Sequence, residues 1–203
     1  MSDEGFLVLA DISGFTAFVT NVELEHGAEV TRVLLEAVMH RLAPPLEIQE
    51  LEGDAVFAIG ADRPVDRRRV PTTLVDAFRG FKEVQYKLAL DDSCSCGACR
   101  QTAHLNLKLI AHHGHFVRQI VGGISRVAGP DVVLAHRLLK NPLEATGYFL
   151  FTEPAVERTG VDPAASGMER RLISYAYLGE MPCFVANPAD WQPTFAEPAV
   201  EVA

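Results

Sequence analysis

Leu7-Val8-Leu9-Ala10-Asp11-Ile12-Ser13-Gly14-Phe15-Thr16 is the stretch from which this chain is best read. A short apolar run ends on a carboxylate, and a glycine and two helix-compatible residues follow at once. Such a run bounded by a turn signal predicts a buried strand, with Asp11 at its C-terminal edge, where ligands bind in open α/β sheets. A helix opening near Phe15 and Thr16 would leave N–H groups able to cradle phosphate oxygens. Asp11 capping a helix or holding a turn would satisfy the phrase as well, so a second element is needed to favour a metal. Leu46-Glu47-Ile48-Gln49-Glu50-Leu51-Glu52-Gly53-Asp54-Ala55-Val56-Phe57-Ala58-Ile59 supplies it. Two β-prone runs flank Gly53-Asp54, which predicts a hairpin with Asp54 at its tip, because glycine tolerates positive φ. If this hairpin pairs beside the first strand, Asp11 and Asp54 meet at one end of a sheet. Their carboxylates repel unless a cation sits between them, and hard oxygen ligands favour Mg²⁺ or Mn²⁺ held with substrate phosphates. That arrangement suits two-metal phosphoryl chemistry.

A chain of 203 residues, 48% hydrophobic, has enough apolar material for one domain with a substantial core. We place that domain at residues 1–186, with a cysteine-rich insert at about 91–104. A tail punctuated by Pro188, Pro193 and Pro198 fills 187–203. There is no run of eighteen apolar residues, and Met1-Ser2-Asp3-Glu4 lacks the basic region of a signal peptide; a cytoplasmic protein without a membrane partner is expected. The formal charge of −9 argues against a nucleic-acid partner, whose footprints are basic. It does not argue against a nucleotide, whose charge a metal can meet locally. Arg67-Arg68-Arg69, between Pro64 and Pro71, reads as a solvated loop.

Val30, Val33, Leu34, Ala37 and Val38 form a helical stripe that stops near Pro44-Pro45. Leu74, Phe78, Phe81, Val84 and Leu88 mark a second helix. Leu105, Leu107 and Leu109 alternate as a strand, with Phe116 to Val121 predicted as its partner across a turn at Gly114. A third helix runs from Pro130 to Asn141-Pro142. Tyr148 to Thr152 and Leu172 to Ala186, turning at Gly179, supply the last strands. The order β-α-β-β-α-β-α-β predicts an α+β fold, a ferredoxin-like βαββαβ core with helices packed on a mixed sheet.

Cys94, Cys96 and Cys99 crowd into six residues, close to zinc-ligand spacing, with His104 as a candidate fourth ligand. Reducible loop thiols are the alternative. A zinc ion there would be structural, since the insert lies away from the carboxylate pair in chain order. Cys183, in a predicted strand, reads as a small core residue. His112, His113 and His115 could suggest another metal cluster, but adjacent strand residues point to opposite faces, so at most two could meet one ion.

Three blocks together resemble the ordered signatures of class III nucleotidyl (adenylate/guanylate) cyclase catalytic domains. They are Ala10 to Thr16, Glu50 to Ala55, and Gly129-Pro130-Asp131-Val132-Val133-Leu134-Ala135-His136-Arg137-Leu138, in a match running from about Phe6 to Phe184. The cysteine insert and the phrase Gly129 to Asn141 resemble a bacterial subfamily of such domains, the DUF2652 type. The resemblance implies a homodimer that converts a nucleoside triphosphate to a cyclic 3′,5′-nucleotide and pyrophosphate. It assigns metal binding to Asp11, Asp54 and the Ile12 carbonyl, and nucleotide contacts to Gly14, Phe15 and Thr16. Glu50 and Arg126 fall at base-reading positions, His115 where the family often has a phosphate-binding arginine, and Arg137 at the transition-state arginine. There are departures. Val133 stands where the family has a ribose-orienting asparagine, and no lysine occurs around Leu178-Gly179-Glu180. Glu50 could accept from the N1–H and N2–H edge of guanine, but Arg126 is not the small polar residue expected beside it. Two alternatives therefore accompany the active cyclase: a catalytically impaired nucleotide- or metal-binding module for signalling or assembly, and a structural, zinc-bearing interaction module whose aspartates only satisfy turns.

Overall fold

Asp3–Ser13 forms β1, and its apolar run is sealed on both faces, with Phe6, Leu7, Val8 and Leu9 each 0% exposed. The computed structural model describes residues 2–62, 65–90 and 97–196. After β1 come α1 (Phe15–Asn21), α2 (Leu24–Leu42), the hairpin β2 (Glu47–Glu52) and β3 (Ala55–Ala61), and α3 (Arg69–Ala89). A short α4 (Gly97–Gln101) and a 3₁₀ turn (Thr102–His104) lead into β4 (Asn106–Val121) and β5 (Ile124–Ala128). The chain ends with α5 (Pro130–Leu138), β6 (Tyr148–Thr152), α6 (Glu153–Thr159), β7 (Glu169–Tyr175) and β8 (Gly179–Ala186).

Strand order among the described residues is β2-β3-β1-β4-β6-β8-β7, with β5 folded onto the outer half of β4. The four strands β2-β3-β1-β4 are the expected ferredoxin-like core. β4 and β6 pair in parallel, and the other pairs are antiparallel. Period-two alternation divides β1 between two cores. Phe6, Val8, Ala10 and Ile12 pack with Val30, Leu34 and Val38 of α2 and Leu74 and Phe81 of α3. Leu7 and Leu9 pack with Leu134, Ala135 and Leu138 of α5 on the other face. At about 25 cal/mol per Å² of apolar surface, burying a large side chain contributes roughly 1.5–3 kcal/mol, so this central strand is the most strongly held part of the fold. Among the described residues no helix is long and apolar enough to cross a membrane.

Several expectations need correction. The stretch before Pro44 holds two helices, because Val22 breaks into extended backbone (φ −122°, ψ 163°) between α1 and α2. The expected turn at Gly114 does not exist: β4 runs unbroken from Asn106 to Val121 and reverses at Gly122-Gly123, both at positive φ. Gly114 has a packing role instead, since a Cβ there would meet the Asp131 Oδ2 atom of α5 at 2.4 Å. Helix α6 carries too short an apolar pattern to have been read. In the tail, Trp191, 5% exposed, packs its ring 4.9 Å from Phe149 and 5.5 Å from Phe151. Cys183 is a core residue as expected, and burial pushes its thiol up to about 12.

Gly5 sits on the β1–β3 seam, where a Cβ would lie 2.3 Å from the Gly60 carbonyl oxygen. Backbone cannot yield as a flexible side chain can. Gly5→Ala is expected to destabilise the domain by about 1–3 kcal/mol in chemical denaturation, the usual cost of forcing extra volume into a packed core.

Candidate functional site

The antiparallel register of β1 and β3 sets Asp11 opposite Ala55, and the Ile12 N–H donates to the Asp54 carbonyl at 3.3 Å. Asp54 lies in the two-residue Gly53-Asp54 turn, where Gly53 takes φ +67°. The two aspartates therefore share one end of the sheet. Burial pushes the Asp11 carboxyl above its usual range, partly offset by Lys108, whose Nζ is 3.6 Å from Asp11 Oδ2. Burial also raises Asp54, and the charge of Asp11 raises it further. Two half-buried, mutually repelling carboxylates with one lysine beside them are a donor set that fits a divalent cation. Lys108 was not singled out from the sequence; only the register Asp11↔Lys108 places it here.

Beside this pair, Gly14 adopts φ +83° and starts α1, whose N-terminus is capped by no side chain. A Cβ on Gly14 would meet the His104 carbonyl at 3.2 Å. The far end of the cysteine-rich insert thus packs against the glycine turn, although it is distant in chain order. Cys99 lies in α4 and His104 is exposed in the turn that follows. Cys94 and Cys96 lie outside the described residues.

A cavity of about 760 Å³ opens on the face covered by α5, between β2, the outer half of β4, β5 and α5. Glu50, Arg126, Val133 and Arg137 all line it. Arg126 donates from Nη2 to both Glu50 carboxylate oxygens, at 2.8 and 3.1 Å, so the two base-reading candidates form an ion pair. Val133 and Arg137 share one helical face, as their spacing of four requires. Several polar lining residues were missed, His136, Lys140 and Gln119 among them. His136 faces two oxygens, with Nδ1 2.7 Å from the Val132 carbonyl and Nε2 3.0 Å from Glu52 Oε1. Lys140 brings a lysine to this cavity from the end of α5 rather than from the last hairpin, and Gln119 adds an amide. The neighbour of Arg137 in the third block was a usable signal for His136; nothing in the local sequence pointed to Lys140.

The histidines around Gly114 do not converge. His112 is buried, with Nδ1 2.8 Å from Thr152 Oγ1 and Nε2 3.4 Å from Asp131 Oδ1, and burial lowers its pKa. His113 points to Asp62 at 3.1 Å. His115 is exposed and pairs in register with Glu4, at the opposite end of β1 from Asp11, while its N–H donates to Asp131 Oδ2 at 2.7 Å. Arg118 is held by Asp3 and Glu47.

This architecture is that of class III cyclase domains. The structure superposes on the adenylyl cyclase CyaB from P. aeruginosa with a TM-score of 0.71, covering 92% of this chain and 95% of that one at 15% identity. The guanylyl cyclase Cya2 gives a TM-score of 0.69 over 98% and 96%, also at 15% identity. In sequence, the chain is 34% identical over 122 residues to Uncharacterized protein Rv2561/Rv2562 of Mycobacterium tuberculosis, and spans 56% of that relative's length. Residues 31–148 match the family model described as Protein of unknown function (DUF2652), and the chain belongs to that family.

Because the raised carboxyls bind protons more readily folded than unfolded, their charged forms destabilise the metal-free protein near neutral pH, and the penalty fades as pH falls through the folded pKa. Asp54→Asn is therefore expected to raise Tm in chelator at pH 7, with an advantage that shrinks on acidification. The same variant should lose most of the Mn²⁺-induced rise in Tm. A thermal melt series with and without Mn²⁺ checks both; equal Mn²⁺ responses would remove the metal site.

Proposed function

We propose that two copies of this domain bind a nucleoside triphosphate with Mg²⁺ or Mn²⁺ in the cytoplasm and convert it to a cyclic 3′,5′-nucleotide and pyrophosphate. The observation that supports this most is a division of labour within one chain. The carboxylate pair and Lys108 lie at the sheet end, while the cavity carrying Glu50, Arg126 and Arg137 is lined by none of them. One copy would supply the metal ligands and the other the cavity. Exposed aliphatics at the cavity and around its rim, Ile120 (77%), Ile124 (66%), Val121 (55%) and Val133 (51%), suit a contact between copies.

In this reading Asp11, Asp54 and the Ile12 carbonyl hold the metal, and the N–H groups around Gly14, Phe15 and Thr16 meet phosphate oxygens. A bound divalent ion lowers the pKa of the ribose 3′-hydroxyl and screens the phosphates. The 3′-oxygen attacks the α-phosphorus in line: a new O–P bond forms, the bond to the β-phosphate oxygen breaks, pyrophosphate leaves, and the hydroxyl proton passes to solvent. Arg137 offsets charge that develops on the phosphoryl oxygens. The Glu50–Arg126 pair presents an acceptor beside a donor to the base; the carboxylate suits the N1–H and N2–H edge of guanine and the guanidinium its O6 and N7. His115, outside the cavity, would act only on a nucleotide carried by the partner copy. Structural zinc on Cys94, Cys96, Cys99 and His104 remains part of the proposal.

Val133 favours a second reading, a module that binds nucleotide and metal without turnover, because valine offers no hydrogen bond to a ribose. Incubation with each nucleoside triphosphate and Mn²⁺ separates the two: cyclic product and pyrophosphate support the cyclase, and binding without product supports the module. In an active enzyme, Asp54→Ala and Arg137→Ala should each lose about a hundredfold or more in rate, as removal of a transition-state contact does. Mixed after subunit exchange, they should regain part of the activity. A mixture that stays dead despite proven exchange places the whole site in one chain.

A further inference from the structure

At the other end of β1, three neighbouring strands bring together a constellation that the cyclase reading does not use. Glu4 of β1, Asp62 just after β3 and His113 of β4 offer a carboxylate oxygen, a carboxylate oxygen and an imidazole nitrogen, all within 4.8 Å of one another. β1 pairs with both other strands, and the Asp62 N–H donates to the Glu4 carbonyl at 3.0 Å, which fixes the spacing of the set. Glu4 and Asp11 are seven positions apart, about 23 Å along a strand, so the two ends of β1 cannot share an ion.

We propose that Glu4, Asp62 and His113 form a second metal site, for a borderline first-row dication such as zinc. One imidazole and two carboxylates are ligands of that class, whereas Mg²⁺ and Ca²⁺ prefer oxygen alone. The geometry fits. Two ligands each about 2.1 Å from zinc lie roughly 3.0–3.4 Å apart for angles from a right angle to tetrahedral; Asp62 Oδ1 and His113 Nε2 stand 3.1 Å apart. His113 is 8% exposed, and its ring is held edge-on against Phe6 at 5.0 Å, so one ligand is already oriented. Asp62 Oδ1 and His113 Nε2 are hydrogen-bonded to each other and would exchange that bond for bonds to the ion, while Asp62 Oδ2 accepts from Arg158 of α6, the kind of outer contact that aims a ligating carboxylate. Glu4 is exposed and can swing in, and a cleft of about 440 Å³ bounded by Ser2, Asp3, Glu4, Ala61, Asp62 and Arg158 gives an ion entry. The ion would clamp β3, β1 and β4 to one another, so its role is structural.

The probe is Co²⁺ alone, titrated into the full chain and read by visible absorption. The expected result is a set of weak ligand-field bands from a site of nitrogen and oxygen, free of the intense thiolate charge-transfer that Co²⁺ on Cys94, Cys96 and Cys99 would give. Made in an Asp54→Asn background, which removes the other proposed cation site, Glu4→Gln should weaken this binding at least tenfold and His113→Asn should abolish it. If Glu4→Gln and His113→Asn bind Co²⁺ like wild type, or if only charge-transfer bands appear, the constellation is a salt-bridge network around Arg158 and no metal site. Should His113→Asn fail to fold, Glu4→Gln decides alone, because its side chain is exposed.

Discussion

Everything in this domain depends on the register of β1 between β3 and β4. A slip of one residue would turn Leu7 and Leu9 to the α2 and α3 side and expel Phe6 and Val8 from it, losing both cores at once. The same register sets Asp11 opposite Ala55 on one side and Lys108 on the other, and brings the Gly53-Asp54 turn alongside. Packing strong enough to hold β1 in place is what lets two like-charged, half-buried carboxylates stay together. Their repulsion is a local cost carried by the surrounding hydrophobic burial.

Charge is distributed with a similar division. The acidic end of β1 at Asp11 is answered by Lys108, whereas the cavity beside α5 carries Arg126, Arg137, Lys140 and His136 with Glu50 and Glu52. Glu50 and Arg126 occupy each other at present, and a base entering between them must exchange that exposed ion pair for its own hydrogen bonds. Such a pair is worth little in water, about 0–1 kcal/mol, so the exchange is inexpensive.

The departures from the cyclase signatures are not independent of the fold. Val133 sits half-exposed on α5, one turn before Arg137, on the surface where exposed aliphatics of β4 and β5 gather. A valine there adds to an apolar contact surface while removing a polar group from the cavity. Lys140 supplies a cation to that cavity from a different element than the last hairpin. The cavity thus carries its cations on β5, on α5 and just past the end of α5.

By itself the sequence determined the buried first strand, the Gly53-Asp54 hairpin, the helical stripes ending at Pro44-Pro45 and the βαββαβ order, because periodicity and turn chemistry are local properties. It also placed Asp11, Asp54 and Arg137 in their three blocks. The tertiary structure alone decided what pairs with what across the sheet. Lys108 beside Asp11, Lys140 and His136 in the cavity, and the Glu4–Asp62–His113 constellation arise from strand register between segments tens of residues apart. Gly114 shows why local reading fails. Flanked by histidines it looks like a turn, yet it continues β4, because its missing side chain makes room for Asp131 on a helix packed across the strand. That constraint belongs to the neighbour and leaves no mark in the residues beside it.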